Sequence, residues 1–99
     1  MKINIDQPLR ENQRSLLRRC GYFEQHNRNT GEASYIRQLR RTPYPRFHIY
    51  INHFSAKGMV LNLHLDAKKP VYAGTTAHAG EYDSEIVTQE AERIKLIIR

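Results

Sequence analysis

Four side chains able to transfer protons follow one another at alternate positions in two neighbouring segments. His48 and Tyr50 lie in the first segment, and His64 and Asp66 lie in the second. Two imidazoles on one surface can serve as general base and general acid, and a phenol can replace the acid. The set predicts RNA cleavage without a metal, in which His48 and His64 exchange the protons, Tyr50 is the alternative acid, and a nearby arginine stabilises the phosphorane.

A metal site is a second interpretation of the same region. His64 and Asp66 lie two residues apart, on one face of a strand, and His78 and Glu81 follow in the next loop. Imidazole and carboxylate ligands suit a divalent ion such as zinc or manganese. No organic cofactor is expected, because the chain has neither a glycine-rich phosphate loop nor a dinucleotide fingerprint.

A β-hairpin is the element that must position these side chains. Apolar and polar residues alternate with a period of two over 46–52 and again over 60–66, which is typical of strands with one buried face. Two registers suit the turn between them: one sets His48 opposite His64, and the other sets His48 opposite Asp66. Either register leaves His48, Tyr50, His64 and Asp66 together on the polar face.

The preceding segment predicts a further strand over 33–41. If Ile36 points inward, then Tyr35, Arg37 and Arg41 join the polar face of the hairpin. Bases stack on exposed rings while guanidinium groups hold phosphates, so such a face is typical of single-stranded nucleic-acid recognition. Arg40 and Arg46 flank the linker between the strands and extend this surface.

The charge of the chain also favours a polyanionic partner. The formal net charge is +6, and residues 1–57 hold eleven Lys and Arg against four acidic residues, whereas residues 58–99 hold five against six. Eleven of the sixteen basic residues are Arg, which pairs with phosphate through two hydrogen bonds. Nucleic acid is therefore the leading partner class, with RNA favoured over DNA.

Two amphipathic helices are predicted outside the strands. The first covers residues 8–20, with Pro8 in its first turn and with Arg10, Arg14 and Arg18 aligned on one flank. The second covers residues 84–98 and directs Ile86, among other apolar residues, toward the core.

These elements predict an α+β fold for a single domain over residues 1–99. An N-terminal helix, a meander of three to four antiparallel strands and a C-terminal helix follow in order, with both helices on one sheet face. Residues 1–7 are either flexible or an edge strand. This order resembles that of double-stranded-RNA-binding domains and of the HicA-type toxin ribonucleases. The Gly-Ser-His motif of those toxins is absent, so no functional residue is carried over.

The sequence leaves three functions open. A nucleic-acid-binding module is favoured, a small phosphodiester hydrolase using His48 and His64 is the alternative, and a protein-binding adaptor, such as a homodimer paired through a sheet edge, is the third. No apolar run reaches the length of a membrane span and no secretory signal is evident. A membrane partner is therefore not expected, and a cytoplasmic location is.

Overall fold

The two alternating segments form the hairpin that the sequence predicts, at the centre of an antiparallel sheet. A computed structural model describes residues 1–67 and 85–99. In chain order the elements are β1 (Lys2–Ile5), α1 (Gln13–Arg19), β2 (Phe23–His26), β3 (Ala33–Gln38), β4 (Arg46–Ser55), β5 (Gly58–Asp66) and α2 (Glu85–Ile98). His48 lies opposite His64, and Tyr50 lies opposite Asn62, which is one of the two predicted registers.

The α+β class is confirmed, but two details of the predicted fold are wrong. Among the described residues the sheet has five strands, not three or four, in the spatial order β1-β5-β4-β3-β2. The first element is a strand and not a helix, because Ile3 and Ile5 alternate toward the core while β1 pairs antiparallel with β5. Residues 1–7 thus supply an edge strand, and the helix-first order that suggested the family resemblance does not hold.

Helix α1 is shorter than the predicted span of residues 8–20. Its N-cap is Asn12, whose side chain accepts a hydrogen bond from the Ser15 backbone N–H at 2.8 Å. The residues before the helix are bound to the β4–β5 turn, because the Leu9 N–H donates to the Ala56 carbonyl at 2.9 Å. Pro8 therefore lies in the irregular segment that leads from β1 to the helix.

Both helices pack against the same face of the sheet. Their buried side chains and alternate residues of the strands form one apolar cluster, which consists of Ile3, Ile5, Leu16, Leu17, Cys20, Tyr22, Tyr35, Phe47, Ile49, Met59, Leu61, Leu63, Val87, Ala91, Ile94 and Ile98. Within residues 1–67 and 85–99, no helix is long and apolar enough to cross a membrane.

The predicted core differs from this cluster at its margins. Ile86 is 42% exposed, because Val87, Ala91 and Ile94 define a narrower stripe on α2 than the predicted one. Leu9 and Leu65 are only partly buried against the cluster.

A bulge at Asn52 interrupts the pairing of β4 with β5. The register shifts between Ile51 and His53, so that His53 lies opposite Val60. Beyond the bulge Phe54 packs against the core. One extra residue in β4 thus changes which positions face the helices.

A buried carboxylate ties α2 to the strands beneath it. The Tyr22 hydroxyl donates to Glu90 at 2.6 Å, and the Arg93 guanidinium donates to the same carboxylate at 2.7 and 2.9 Å and to the Cys20 carbonyl. Arg37 lies 3.5 Å from Glu90. Burial, together with the hydrogen bond to Glu90, raises the pKa of Tyr22. This network holds α2 in register with α1 and the sheet.

Replacing Glu90 with alanine should lower the free energy of unfolding by about 3 kcal/mol, because it leaves buried hydroxyl and guanidinium groups without their acceptor. Glu92→Ala removes an exposed carboxylate from the same helix and is the matched control, with an expected loss below about 0.5 kcal/mol. Urea unfolding followed by circular dichroism measures both. Equal losses in the two variants would show that the buried network does not stabilise the fold.

Candidate functional site on the outer sheet face

The sheet face turned away from the helices, here called the outer face, carries the imidazoles, the phenol and the carboxylate singled out in the sequence. Strand alternation and pairing place on it the side chains of Phe23, Gln25, Ser34, Ile36, Arg46, His48, Tyr50, Asn62, His64 and Asp66. Because the alternating apolar residues of β4 and β5 pack against the helices, the residues between them must point to the opposite side of the sheet.

Four of these residues form a continuous hydrogen-bonded row across β3, β4 and β5. The Ser34 Oγ lies 2.9 Å from the His48 Nε2, and the His48 Nδ1 lies 3.2 Å from the Asp66 Oδ2. Arg46 Nε donates to the same carboxylate oxygen at 3.1 Å. Ser34 and His48 are only 6% and 8% exposed, so this row is fixed within the surface and is not merely solvated.

Aromatic rings surround the row. The Tyr50 ring stacks on the His48 imidazole, with centroids 4.5 Å apart and planes 28° apart, and meets His64 edge-on at 5.8 Å. Tyr50 is 37% exposed, and Phe23, on the edge strand β2, is 67% exposed. The Arg46 guanidinium lies over the Tyr44 ring at 4.6 Å. The outer face therefore combines accessible rings with a guanidinium.

The surroundings of each titrating group shift its pKa for a different reason. The hydrogen bond with His48 holds the pKa of Asp66 below its ordinary value; burial opposes this shift and the bond from Arg46 adds to it. Burial lowers the pKa of His64, and the positive N-terminus and His48 lower it further, against the opposing charge of Asp66. Burial raises the pKa of Tyr50. Neutral pH thus favours an ionised Asp66 beside a neutral His64.

Tyr35 and Arg37 do not lie on the outer face, and the prediction that placed them there is wrong. Tyr35 pairs with Ile49 and is buried in the core, and its hydroxyl donates to Glu24 at 2.6 Å. Arg37 lies on the same side, beside Phe47. The physical reason is that Ile36, half-buried, takes the outer position opposite His48.

The predicted arginine surface is divided by the fold. Arg10 precedes the helix, so the predicted row of three helical arginines is wrong; Arg14 and Arg18 are on α1. These two arginines line a groove of about 270 Å³ together with Tyr22, Phe23 and Glu24. The groove adjoins the β2 edge, where Phe23 reaches the outer face.

Arg40 and Arg41 are exposed in the connection between β3 and β4, since β3 ends at Gln38 and not at residue 41. This connection enters β4 at Arg46. The basic residues of the linker thus lie at the same end of the hairpin as the Arg46–Asp66 pair.

The proposed metal site stays a prediction. Across the part of the chain that the structure describes, no group of three or more His, Cys, Asp or Glu side chains is arranged to hold a metal ion. His64 and Asp66 share the outer face, whereas His78 and Glu81 lie outside the described residues.

Sequence reasoning missed Ser34 and Phe23. Ser34 lies on β3, beside the hairpin, and Phe23 lies on β2, beside β3. The available signal was strand alternation, which places Ser34 and Ile36 on one face. The assumption that an isoleucine must face the core concealed that signal.

Comparison with protein-family models, with curated proteins and with solved structures finds no match for this chain.

The imidazole of His64 should titrate below about pH 6.5, the ordinary histidine value, in NMR spectra of the folded protein. Because its native-state pKa is lowered, the native state binds this proton less readily than the unfolded chain does. Its contribution to stability is therefore lost as the pH falls below the ordinary value and through the native one.

Asp66→Asn provides the matched comparison, because Asp66 opposes the lowering of the His64 pKa. The midpoint for His64 should fall further in this variant, and His64→Gln assigns the signal. A midpoint at or above the ordinary value in the unmodified protein would contradict the described environment.

Proposed function

We propose that the protein binds nucleic acid, with single-stranded RNA favoured, through the outer face of the sheet. The observation that carries the proposal is that Tyr50 and Phe23 expose their rings on this face while the helices cover the other. Bases without a pairing partner stack on such rings, and stacking tolerates any base sequence.

The distribution of positive charge supports the same surface. Arg46 is fixed at one end of the outer face by Asp66 and by the Tyr44 ring, and Arg40 and Arg41 are exposed in the adjoining linker. At the β2 edge of the sheet, Phe23 is shared between the outer face and the arginine-lined groove. A strand stacked on the rings would therefore meet guanidinium groups near the start of β4 and at the β2 edge.

The shape of the surface favours single strands over duplexes. Phe23 and Tyr50 lie on β2 and β4, two strand spacings or about 10 Å apart across the sheet, and Phe23 is level with His48, two residues before Tyr50. Two bases can stack separately over that distance only when they are splayed out of a helix.

Binding is favoured over phosphodiester cleavage by His48 and His64. Both ring nitrogens of His48 already have partners, Ser34 and Asp66. His48 therefore presents neither nitrogen to a 2′-hydroxyl, although the register sets it directly opposite His64.

Fluorescence anisotropy with a labelled RNA of about 12 nucleotides should give saturable binding that weakens linearly with the logarithm of the salt concentration. Tyr50→Leu and Phe23→Leu should each weaken binding about fivefold or more, because each removes a stacking platform worth at least about 1 kcal/mol. Arg40→Glu combined with Arg41→Glu should reduce the salt dependence.

Leu96→Ala is the matched control, since Leu96 is an exposed apolar residue on α2 and its loss should leave affinity unchanged. DNA of the same sequence and an RNA duplex measure the preference for single-stranded RNA. Absence of binding to every nucleic acid at about 20 mM salt, or equal affinity for the parent and the ring variants, would overturn the proposal. Degradation of the RNA by the parent protein would instead favour the hydrolase.

A further inference from the structure

Ser34, His48 and Asp66 are connected through the atoms that an activated hydroxyl requires. The serine oxygen faces one imidazole nitrogen and the carboxylate faces the other. With a neutral His48, one arrangement of protons satisfies every bond. Gln25 donates to the Ser34 Oγ at 3.4 Å, Ser34 donates to the His48 Nε2, and the His48 Nδ1–H donates to Asp66. Each group in the row thus donates its hydrogen bond to the next one, ending at Asp66.

We propose that Ser34 is a nucleophile that accepts an acyl group from small carboxylic esters, with His48 as its general base. The Ser34 Oγ forms a bond to the ester carbon as its proton passes to the His48 Nε2, and the carbonyl π electrons move to the oxygen. Collapse of the tetrahedral intermediate breaks the bond to the leaving alkoxide, which takes the proton from His48. Water then repeats the sequence on the acyl-serine, releasing a carboxylic acid and restoring Ser34.

The sheet holds these groups in fixed positions. Ser34, His48 and Asp66 belong to three adjacent strands, so their spacing is set by the hydrogen-bond ladders and not by a loop. Tyr50 stacks on the imidazole, and Arg46 anchors the carboxylate. Asp66 is a positioning residue, since it acts on the substrate only through the orientation and tautomer of His48.

The side-chain amide of Gln25 favours a carbonyl over a phosphoryl substrate. Its Nε2 lies beside the Ser34 Oγ, within reach of an oxygen bonded to the carbon that Ser34 attacks. One neutral donor suits the single negative charge of a tetrahedral oxyanion. A phosphoryl group develops charge on several oxygens and calls for cations, whereas Arg46 is bonded to Asp66, at the other end of the row.

The low exposure of Ser34 limits the substrate. Because Ser34 as a residue is only 6% exposed, its surroundings favour a short acyl chain over a bulky one. Acetyl esters are therefore the expected substrate class, and this activity does not depend on nucleic-acid binding.

The test treats the full chain with p-nitrophenyl acetate and, separately, with a fluorophosphonate probe, followed by intact mass and peptide mapping. The expected result is one acetyl or phosphonyl group, located on Ser34, with release of p-nitrophenol. Ser34→Ala should abolish the adduct, and Ser55→Ala, at the end of β4, should retain it. His48→Gln should slow acylation about 100-fold.

Asp66→Asn should slow acylation without changing the ester concentration at half-maximal rate, a separation that a purely structural role would not produce. The label on the unmodified protein decides the outcome even if a variant fails to fold. No adduct on Ser34, or a rate no higher than at Ser55, would overturn the proposal, and either result leaves the RNA-binding measurement unaffected.

Discussion

Pairing of β4 with β5 decides which side chains the helices cover. Phe47 and Ile49 lie opposite Leu65 and Leu63, and burying each such side chain contributes about 2 kcal/mol. A slip of one residue in either strand would turn that strand's apolar side chains outward and carry imidazoles and amides into the core. The apolar face therefore fixes the register, and the register in turn brings together the side chains that form hydrogen bonds across the outer face.

Polar networks lie on both sides of this sheet, and they serve different purposes. Beneath it, the buried Glu90 joins α2 to Tyr22 and to Arg37 of β3. On the outer face, the row that includes Ser34 and His48 is buried although α1 and α2 lie on the other side of the sheet. In the described part of the chain, no buried side-chain nitrogen or oxygen lacks a hydrogen-bond partner. Such complete pairing reduces the cost of burial, but only the outer row aligns a hydroxyl with an imidazole.

The hairpin, its register alternatives and the C-terminal helix could be predicted because their patterns are local and strongly periodic. For the N-terminal strand the sequence left two alternatives, a flexible segment or an edge strand, because its four residues carry a weak pattern and gain their stability from pairing with β5. The prediction of which face of β3 points to the core was wrong for a different reason. Ile36 and Tyr35 are both apolar enough to be buried, and pairing with β4 decides between them. The hydrogen-bonded row of the site was beyond sequence reasoning, since three strands must be in register before it exists.

The bulge at Asn52 shifts by one residue the alternation of inward and outward side chains along β4. Even-numbered residues of β4 face outward before it, and His53, an odd-numbered residue, faces outward after it. The residues that face outward therefore change from even to odd numbers at the bulge, although the outer face itself continues without a break. A related chain could lack Asn52 and keep every other side chain of β4 on its present face. Loss of a residue elsewhere in β4 would instead turn inward-facing side chains outward over part of the strand. The bulge is therefore the position in this strand where a change of length would disturb the fewest contacts.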